Sequence, residues 1–444
     1  MDRDSVEPHV ESLPGENALK TVSYHHETAA PSTYIYEFVW DPDAPAIGPF
    51  CTDVDGNVLM DFTGHVGASP LGYNNPKIME PLEVFDLTDP TKIAGQDFYL
   101  PARGALEDRD VPGPADLMHR LTDITGNGMD TVFLSNSGAE AVENALKISF
   151  DHTEGKYLVT CEGAFHGRTL GALSLNRSKE VYRREFPEIS SVQDVPFCDD
   201  SGCTPATCDC GFFFDDTSTL RKMVGDGGYV NPDETAALIM EPIQGEGGYR
   251  FPSDAFAEEV ASICEEHNLP LILDEVQSGL GRTGEWWAAD HYPFEPDVIA
   301  SAKSARVGAT ISREEVFPEE KSRLSSTWGA GDLLSSAVGT LTIDAIEEHN
   351  LLDNATRRGR QFQDTLRDRS LPGATDIRGK GLMLAVEFES KHLREEVQKR
   401  AFAHGLLVIG CGKRTIRVLP PLDVTEREIS LGAALFAESV AAAQ

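Results

Sequence analysis

From about residue 114 onward, short apolar runs alternate with stretches of helical spacing. The runs Thr131–Leu134, Tyr157–Cys161, Ala236–Met240, Leu269–Leu273 and Asp297–Ala300 show no in–out alternation. Such runs predict strands buried on both faces of a parallel sheet. Between them, Ala139–Phe150 and Phe256–His267 have the spacing of amphipathic helices. The final hundred residues read differently, with long helices at Ala337–His349, Thr356–Asp368 and Leu393–His404 around strands near Leu382–Phe388 and Ile416–Leu419. Near the start, Phe50–Val54 and Val58–Phe62 flank an Asp55-Gly56 turn, the pattern of a hairpin. The pattern predicts an α/β chain: a large domain with a mostly parallel sheet, and a smaller α+β domain built from both chain ends. The expected division is 1–75 and 336–444 for the small domain and 76–335 for the large one.

Composition sharpens this picture. With 444 residues, 40% of them hydrophobic, there is ample material for a large core. Asp and Glu number 73 against 38 Lys and Arg, for a formal net charge of −35, and only 13 of the cations are lysine. The carboxylates are spread along the whole chain, so nucleic-acid phosphates and anionic membrane surfaces repel it. The balance suits a surface solubilised for a salt-rich cytoplasm, as in a halophile, the alternative being an ordinary acidic enzyme. No run of about 20 apolar residues occurs, and residues 1–20 lack the basic and apolar regions of a secretory signal. A cytoplasmic protein is expected. Eight cysteines are too few for a disulfide scaffold.

Ligands of open parallel sheets sit at the carboxyl ends of the strands. After Leu134 comes Ser135-Asn136-Ser137-Gly138-Ala139-Glu140, small residues opening a helix. They suit either a phosphate cradle of free N–H groups or a plain capping box of Ser137 and Glu140. After Leu273 comes Asp274, whose buried carboxylate requires a partner. Lys303 closes the next strand, where it is either a desolvated nucleophile or a snorkelling side chain. A phosphate cradle, a buried acid and a buried amine at three strand ends are together what pyridoxal 5′-phosphate requires.

The segments SNSGAEAVENALK (135–147), AFHGRTLGALS (164–174), EPIQGEGG (241–248), LILDEVQSGLGRTG (271–284), PDVIASAK (296–303), STWG (326–329) and TIRVLPPL (415–422) carry a resemblance. The chain resembles the class III aminotransferases of the type I pyridoxal-phosphate fold, from about residue 35 to 440. Residues 303–308 and 323–329 look most like lysine 6-aminotransferases. The stretch from Gly410-Cys411-Gly412 to Pro421 looks as much like archaeal 4-aminobutyrate or ornithine aminotransferases and their racemase relatives.

The resemblance implies roles. Lys303 is the Schiff-base lysine and carries the proton between Cα and C4′, and Asp274 pairs with the pyridinium. Val276 and Phe165 pack on the ring faces, Gln277 meets the ring hydroxyl, and Ser137, Gly138 and Ala139 hold the phosphate. Thr327 reaches the phosphate of a neighbouring subunit, so a homodimer with shared active sites is implied. Arg417 binds the α-carboxylate of 2-oxoglutarate or glutamate, Glu246 neutralises Arg417 when an ω-amine enters, and Arg168 holds a donor carboxylate. The chain departs from the family at Ser304-Ala305-Arg306 and at Trp328–Asp332, on the substrate side. The implied activity is transfer of an ω-amine of lysine, ornithine or 4-aminobutyrate type to 2-oxoglutarate. Amino-acid racemisation on the same scaffold is the alternative, and a non-catalytic cofactor-binding protein the third reading. His166 and the other histidines show no ligand spacing and read as packing or surface residues.

One feature lies outside the family pattern. Cys198, Cys203, Cys208 and Cys210 place half of all the cysteines within thirteen residues. Four thiolates on a turn-rich loop can close a structural zinc site, although C-x4-C-x4-C-x-C matches no common knuckle. Unligated thiols are the alternative.

Overall fold

The computed structural model describes residues 1–32, 38–85, 95–96, 100–215, 217–225 and 227–444. The chain divides into two units, Glu80–His349 and a second made of Met1–Met79 with Asn350–Gln444.

The larger unit is organised by a seven-stranded sheet. In chain order its strands are β1 (Thr131–Ser135), β2 (Tyr157–Cys161), β3 (Val192–Val195), β4 (Thr235–Met240), β5 (Leu271–Asp274), β6 (Val298–Ser301) and β7 (Gly308–Ser312). Their spatial order is β1-β7-β6-β5-β4-β2-β3. Neighbours from β6 through β5, β4 and β2 to β3 are parallel, and β7 runs antiparallel to both β6 and β1. Six strands therefore end at one edge. Strands β4, β5, β6 and β7 are buried along their whole length, as the apolar runs within the first three lead one to expect. Strand β7 was not anticipated: Gly-Ala-Thr-Ile-Ser is short and half polar. Its Thr310 hydroxyl is satisfied by the Ala141 carbonyl at 2.9 Å, and its Ser312 hydroxyl by the Asp297 carbonyl at 2.6 Å.

Two helices of this unit matter for the site. Helix α1 (Gly138–Thr153) is capped by Ser137, and α2 (Asp254–His267) by Ser253, each serine oxygen accepting the N–H three residues on. A further helix, Leu333–Glu348, packs so tightly on the turn after β6 that a Cβ on Gly339 would lie 2.3 Å from the Ala305 carbonyl oxygen. That contact places the helix in the large unit, whereas its pattern alone assigns it to the C-terminal part of the small domain.

The smaller unit holds a three-stranded sheet of Phe50–Thr52, Val58–Asp61 and Leu406–Leu407, and a four-stranded sheet of Ala374–Lys380, Met383–Phe388, Thr415–Val418 and Ile409–Cys411. Helices Leu351–Arg367, Lys391–Ala403 and Glu426–Ala442 belong to the same unit. Among the described residues, no helix is long and apolar enough to cross a membrane.

Candidate active site

Asp274 is the last residue of β5 and only 5% exposed. Its Oδ2 lies 2.8 Å from His166 Nδ1, and its Oδ1 accepts the Val276 N–H at 3.0 Å. A buried carboxylate needs such partners. His166 is itself buried, its backbone N–H held by Asn176 Oδ1 at 2.7 Å. It lies just past β2, as Asp274 ends β5, so the parallel topology brings them together across 108 residues. His166 is therefore more than a packing residue.

Lys303 lies just past β6, on the neighbouring strand. Ala300 pairs with Asp274, so the lysine lies three residues beyond the register of the acid. Its φ is +39°, a left-handed conformation that costs a lysine about 1 kcal/mol or more and persists only where the surroundings impose it. The imposition is visible. Lys303–Ala305 form a single 3₁₀ turn whose Ala305 and Arg306 N–H groups close back on Ala302 and Lys303, with Gly339 pressed against it. Lys303 is half-buried between buried Ala302 and Ser304.

The turn from β1 into α1 supports both readings of its sequence. Ser137 Oγ accepts the Glu140 N–H at 3.2 Å, but the Glu140 carboxylate reaches Asn136 N–H at 2.7 Å rather than completing a capping box. The Ala141 N–H closes on the Ser137 carbonyl, and among the described residues the Gly138 and Ala139 N–H groups have no partner. Those donors, at the positive end of a 16-residue helix, suit an anion. Gly138 has to be glycine, since a Cβ would stand 2.8 Å from Val276 Cγ1. Val276, two residues past Asp274, thus packs on the helix start. Gln277 packs on Gly245, where a Cβ would be 2.6 Å from its Oε1. Thr327 Oγ1 accepts from Asn136 Nδ2 at 2.7 Å and donates to Glu140 Oε2 at 3.1 Å, which puts it at the start of its own chain's α1.

A second cluster surrounds Phe165, whose ring packs edge-on against Tyr182 at 5.4 Å. The exposed Arg168 lies over Tyr182 at 4.5 Å and over Phe165 at 5.6 Å. Glu246 accepts from Lys179 Nζ at 2.5 Å and from Tyr182 Oη at 2.9 Å. Neither Lys179 nor Tyr182 was expected; Tyr182 closes a 3₁₀ turn, Glu180–Tyr182, that Lys179 precedes and that no strand end marks. In the smaller unit Arg417 is 4% exposed on a strand between Ala385 and Ile409.

Two further acids were missed. Glu241, directly after β4, accepts the Phe165 N–H at 2.9 Å and the Gly245 N–H at 2.8 Å. Burial pushes its carboxyl upward, with His166 opposing and the Asp274 charge adding. Glu275 accepts the Ser278 hydroxyl and the Ala289 N–H, and burial pushes it up to about 7. An acid at the carboxyl end of an apolar strand is the signal that singles out Asp274, and the same signal marks Glu241. The four cysteines converge on one another, their sulfurs within 4.8 Å, in the loop that leaves β3.

The chain belongs to the class-III aminotransferases, whose family model matches residues 44–440. It is 34% identical over 390 residues to the acetylornithine aminotransferase of Archaeoglobus fulgidus, covering 86% of this chain and 91% of that one. It is 32% identical over 392 residues to the putrescine aminotransferase of Pectobacterium atrosepticum, covering 85% and 77%. Among solved structures, the lysine aminotransferase of M. tuberculosis superposes with a TM-score of 0.82 at 25% identity, covering 96% of this chain and 100% of that one. The ornithine aminotransferase of Toxoplasma gondii does so with a TM-score of 0.78 at 25% identity, covering 97% and 95%. The chain is a pyridoxal-phosphate-dependent transaminase of the type I fold, and the racemase alternative draws no support from these relatives.

Proposed function

We propose that this transaminase takes the terminal amino group of a lysine-, ornithine- or 4-aminobutyrate-type donor and passes it to 2-oxoglutarate. The observation that carries the reading is the pairing of β5 with β6, which sets a buried Asp274–His166 pair beside a lysine held in a strained turn. The residues fit the cofactor: free N–H groups open α1, an acid is fixed at the end of β5, and an amine lies just past the end of β6. When bound, pyridoxal 5′-phosphate supplies the electron-withdrawing ring and the carbon that carries the amino group.

Asp274 would hold a proton on the ring nitrogen, and His166 would fix the carboxylate for that task. Ser137, Gly138 and Ala139 would bind the phosphate, Val276 and Phe165 would cover the ring faces, and Gln277 would bond the ring hydroxyl. The Lys303 amine would serve first as nucleophile and then move the proton between Cα and C4′. The family resemblance gives Thr327 to the phosphate site of a second copy, and a homodimer is part of the reading. Within one chain, by contrast, Thr327 is held by Asn136 and Glu140 at the start of its own α1. Arg417 would bind the α-carboxylate of the keto acid, Arg168 a donor carboxylate, and Glu246 would supply the counter-charge when an ω-amine enters. The Lys179 and Tyr182 contacts supply Glu246 with alternative partners. That arrangement suits a carboxylate that changes partner between half-reactions. Relatives that act on acetylornithine and putrescine support a terminal-amine donor.

A screen of amino donors with 2-oxoglutarate, run beside a chirality assay without it, tests the proposal. Amino transfer that requires the keto acid is expected. Inversion of a chiral amino acid with no acceptor present would overturn it. The acidic surface we read as adaptation of a cytoplasmic enzyme to high salt, supported by the charge of −35. Screening lengths shrink from about 10 Å at 0.1 M to about 3 Å at 1 M. Full native circular dichroism and activity in dilute buffer would refute that part alone.

A further inference from the structure

Between β3 and the small hairpin of Phe213–Phe214 with Thr217–Ser218, the chain forms no regular element apart from turns. Yet it converges. The sulfurs of Cys198, Cys203, Cys208 and Cys210 all lie within 4.8 Å of one another, the first two buried and the others half-buried. Cys208 Sγ and Cys210 Sγ are 3.0 Å apart, well beyond a disulfide bond of about 2.05 Å. Three donors point at these sulfurs: the Phe212 N–H at Cys210 (3.4 Å), the Phe213 N–H at Cys208 (3.4 Å) and the Ser253 hydroxyl at Cys198 (3.3 Å). Four sulfurs of one loop thus face a common centre, with no carboxylate or imidazole in the group.

We propose that Cys198, Cys203, Cys208 and Cys210 bind one Zn²⁺ per chain in a closed, four-thiolate structural site. Zinc–sulfur bonds of about 2.3 Å in a tetrahedron set the sulfurs about 3.8 Å apart. The Cys208–Cys210 separation of 3.0 Å and the outer limit of 4.8 Å lie on either side of that value, so side-chain rotation without a change of backbone path would close the site. An all-sulfur, four-fold set without carboxylate or imidazole selects a borderline-soft tetrahedral ion over Mg²⁺ or Ca²⁺. Binding releases the thiol protons and leaves no open position, so the ion does structural work only.

That work can be located. Cys198 also accepts the Ser253 N–H on its carbonyl at 2.9 Å, and Ser253 caps α2. Phe197 and Phe212 on the loop pack on Phe256 of α2 at 5.0 Å and 4.5 Å. The metal would therefore clamp a loop lacking regular structure onto the start of α2, the helix that leads into the Asp274 strand.

The test uses the holoenzyme purified without chelator. Metal analysis should give about one zinc per chain, and an organomercurial should release it as the cluster's four thiols are consumed. Cys203→Ser and Cys208→Ser should each reduce the zinc content to near zero. Should either variant fail to fold, cobalt substitution of the unaltered protein decides. Intense visible absorption with thiolate charge-transfer bands is expected for a tetrahedral four-sulfur site. Metal-free protein with titratable thiols, iron in place of zinc, a disulfide among the four, or zinc retained by both variants would overturn the proposal.

Discussion

The strand-end site and the cysteine loop both belong to the large unit, yet they are assembled in opposite ways. The site collects residues from 137 to 327, contributed by the ends of β1, β2, β4, β5 and β6 and by the segment after β7. The loop collects four cysteines within thirteen residues. In the first case the sheet brings distant side chains together and holds them in demanding conformations, such as the left-handed Lys303. In the second the backbone has turns but no strand or helix, and a bound ion would add to the contacts that Ser253, Phe256 and Arg250 make with it. Chemistry thus rests on the scaffold in the first, while in the second, part of the scaffold would rest on local chemistry.

The largest effect expected from that contrast is a clean separation. Lys303→Ala should abolish turnover, losing roughly 10²–10⁴-fold from proton transfer alone and more with the nucleophile gone. It should retain its zinc and its melting temperature. Borohydride reduction and peptide mapping of the unaltered enzyme should place the label on Lys303, and label on another lysine would sink the assignment. Cys203→Ser should do the reverse, losing metal and thermal stability while turnover at moderate temperature keeps its order of magnitude. If either variant loses both properties, the two regions are not separable.

Acid–base behaviour gives the next effect. Glu275 is raised by burial from an ordinary value near 4.5 to about 7. The folded state then binds the extra proton between those two values. Stability from this group is full below about pH 4.5, falls as pH rises through about 7 and is flat above, on the order of a few kcal/mol. Glu275→Gln should remove that component. It keeps an oxygen for the Ala289 N–H, and the Ser278 hydroxyl can accept from the new amide. Melting temperatures of variant and parent at pH 5 and pH 8 check this, and an unchanged difference would show that Glu275 does not titrate there. Cys203→Ser should leave the pH slope as it was.

How much of this was legible in sequence differs between the two regions for the same physical reason. Largely apolar runs without in–out alternation at 157–161, 236–240 and 297–300 announce strands, because a strand buried on both faces has no polar side. Strand β7 escaped because Thr310 and Ser312 spend their hydroxyls on main-chain carbonyls, which no periodicity reveals. Asp274 and Lys303 stand out by position, since a charged residue ending an apolar run needs an explanation. Their convergence with Ser137 came from strand order, which a single sequence does not encode visibly and which entered through the family resemblance. His166 lay in a recognised segment but lacked ligand spacing, because its partner is one carboxylate on another strand. Tyr182 and Lys179 gave no signal. The cysteines, by contrast, were conspicuous by spacing alone, and only their convergence required coordinates.

The smallest effect, and the sharpest test of the contrast, concerns the residue that touches both regions. Arg250 holds Asp199 bidentately, at 2.7 and 2.9 Å, and the Phe197 carbonyl at 2.7 Å, on the cysteine-loop side. Its backbone pairs with Gln244, two residues before Glu246, and Gln244 Nε2 bonds the Glu162 carbonyl at 2.7 Å after β2. Arg250→Lys keeps the charge but loses the forked contact. Because Asp199 is partly exposed, solvent screening limits the loss to about 1 kcal/mol. The expected outcome is a melting temperature lowered by a few degrees, zinc content unchanged, and a few-fold rise in KM for the ω-amine donor with kcat held. That split arises because the substitution loosens the turn carrying Glu246 and leaves Lys303 and Asp274 alone. A fall in kcat without a change in KM would mean that the loop reaches the chemistry by another route, and that the two regions are one cooperative element.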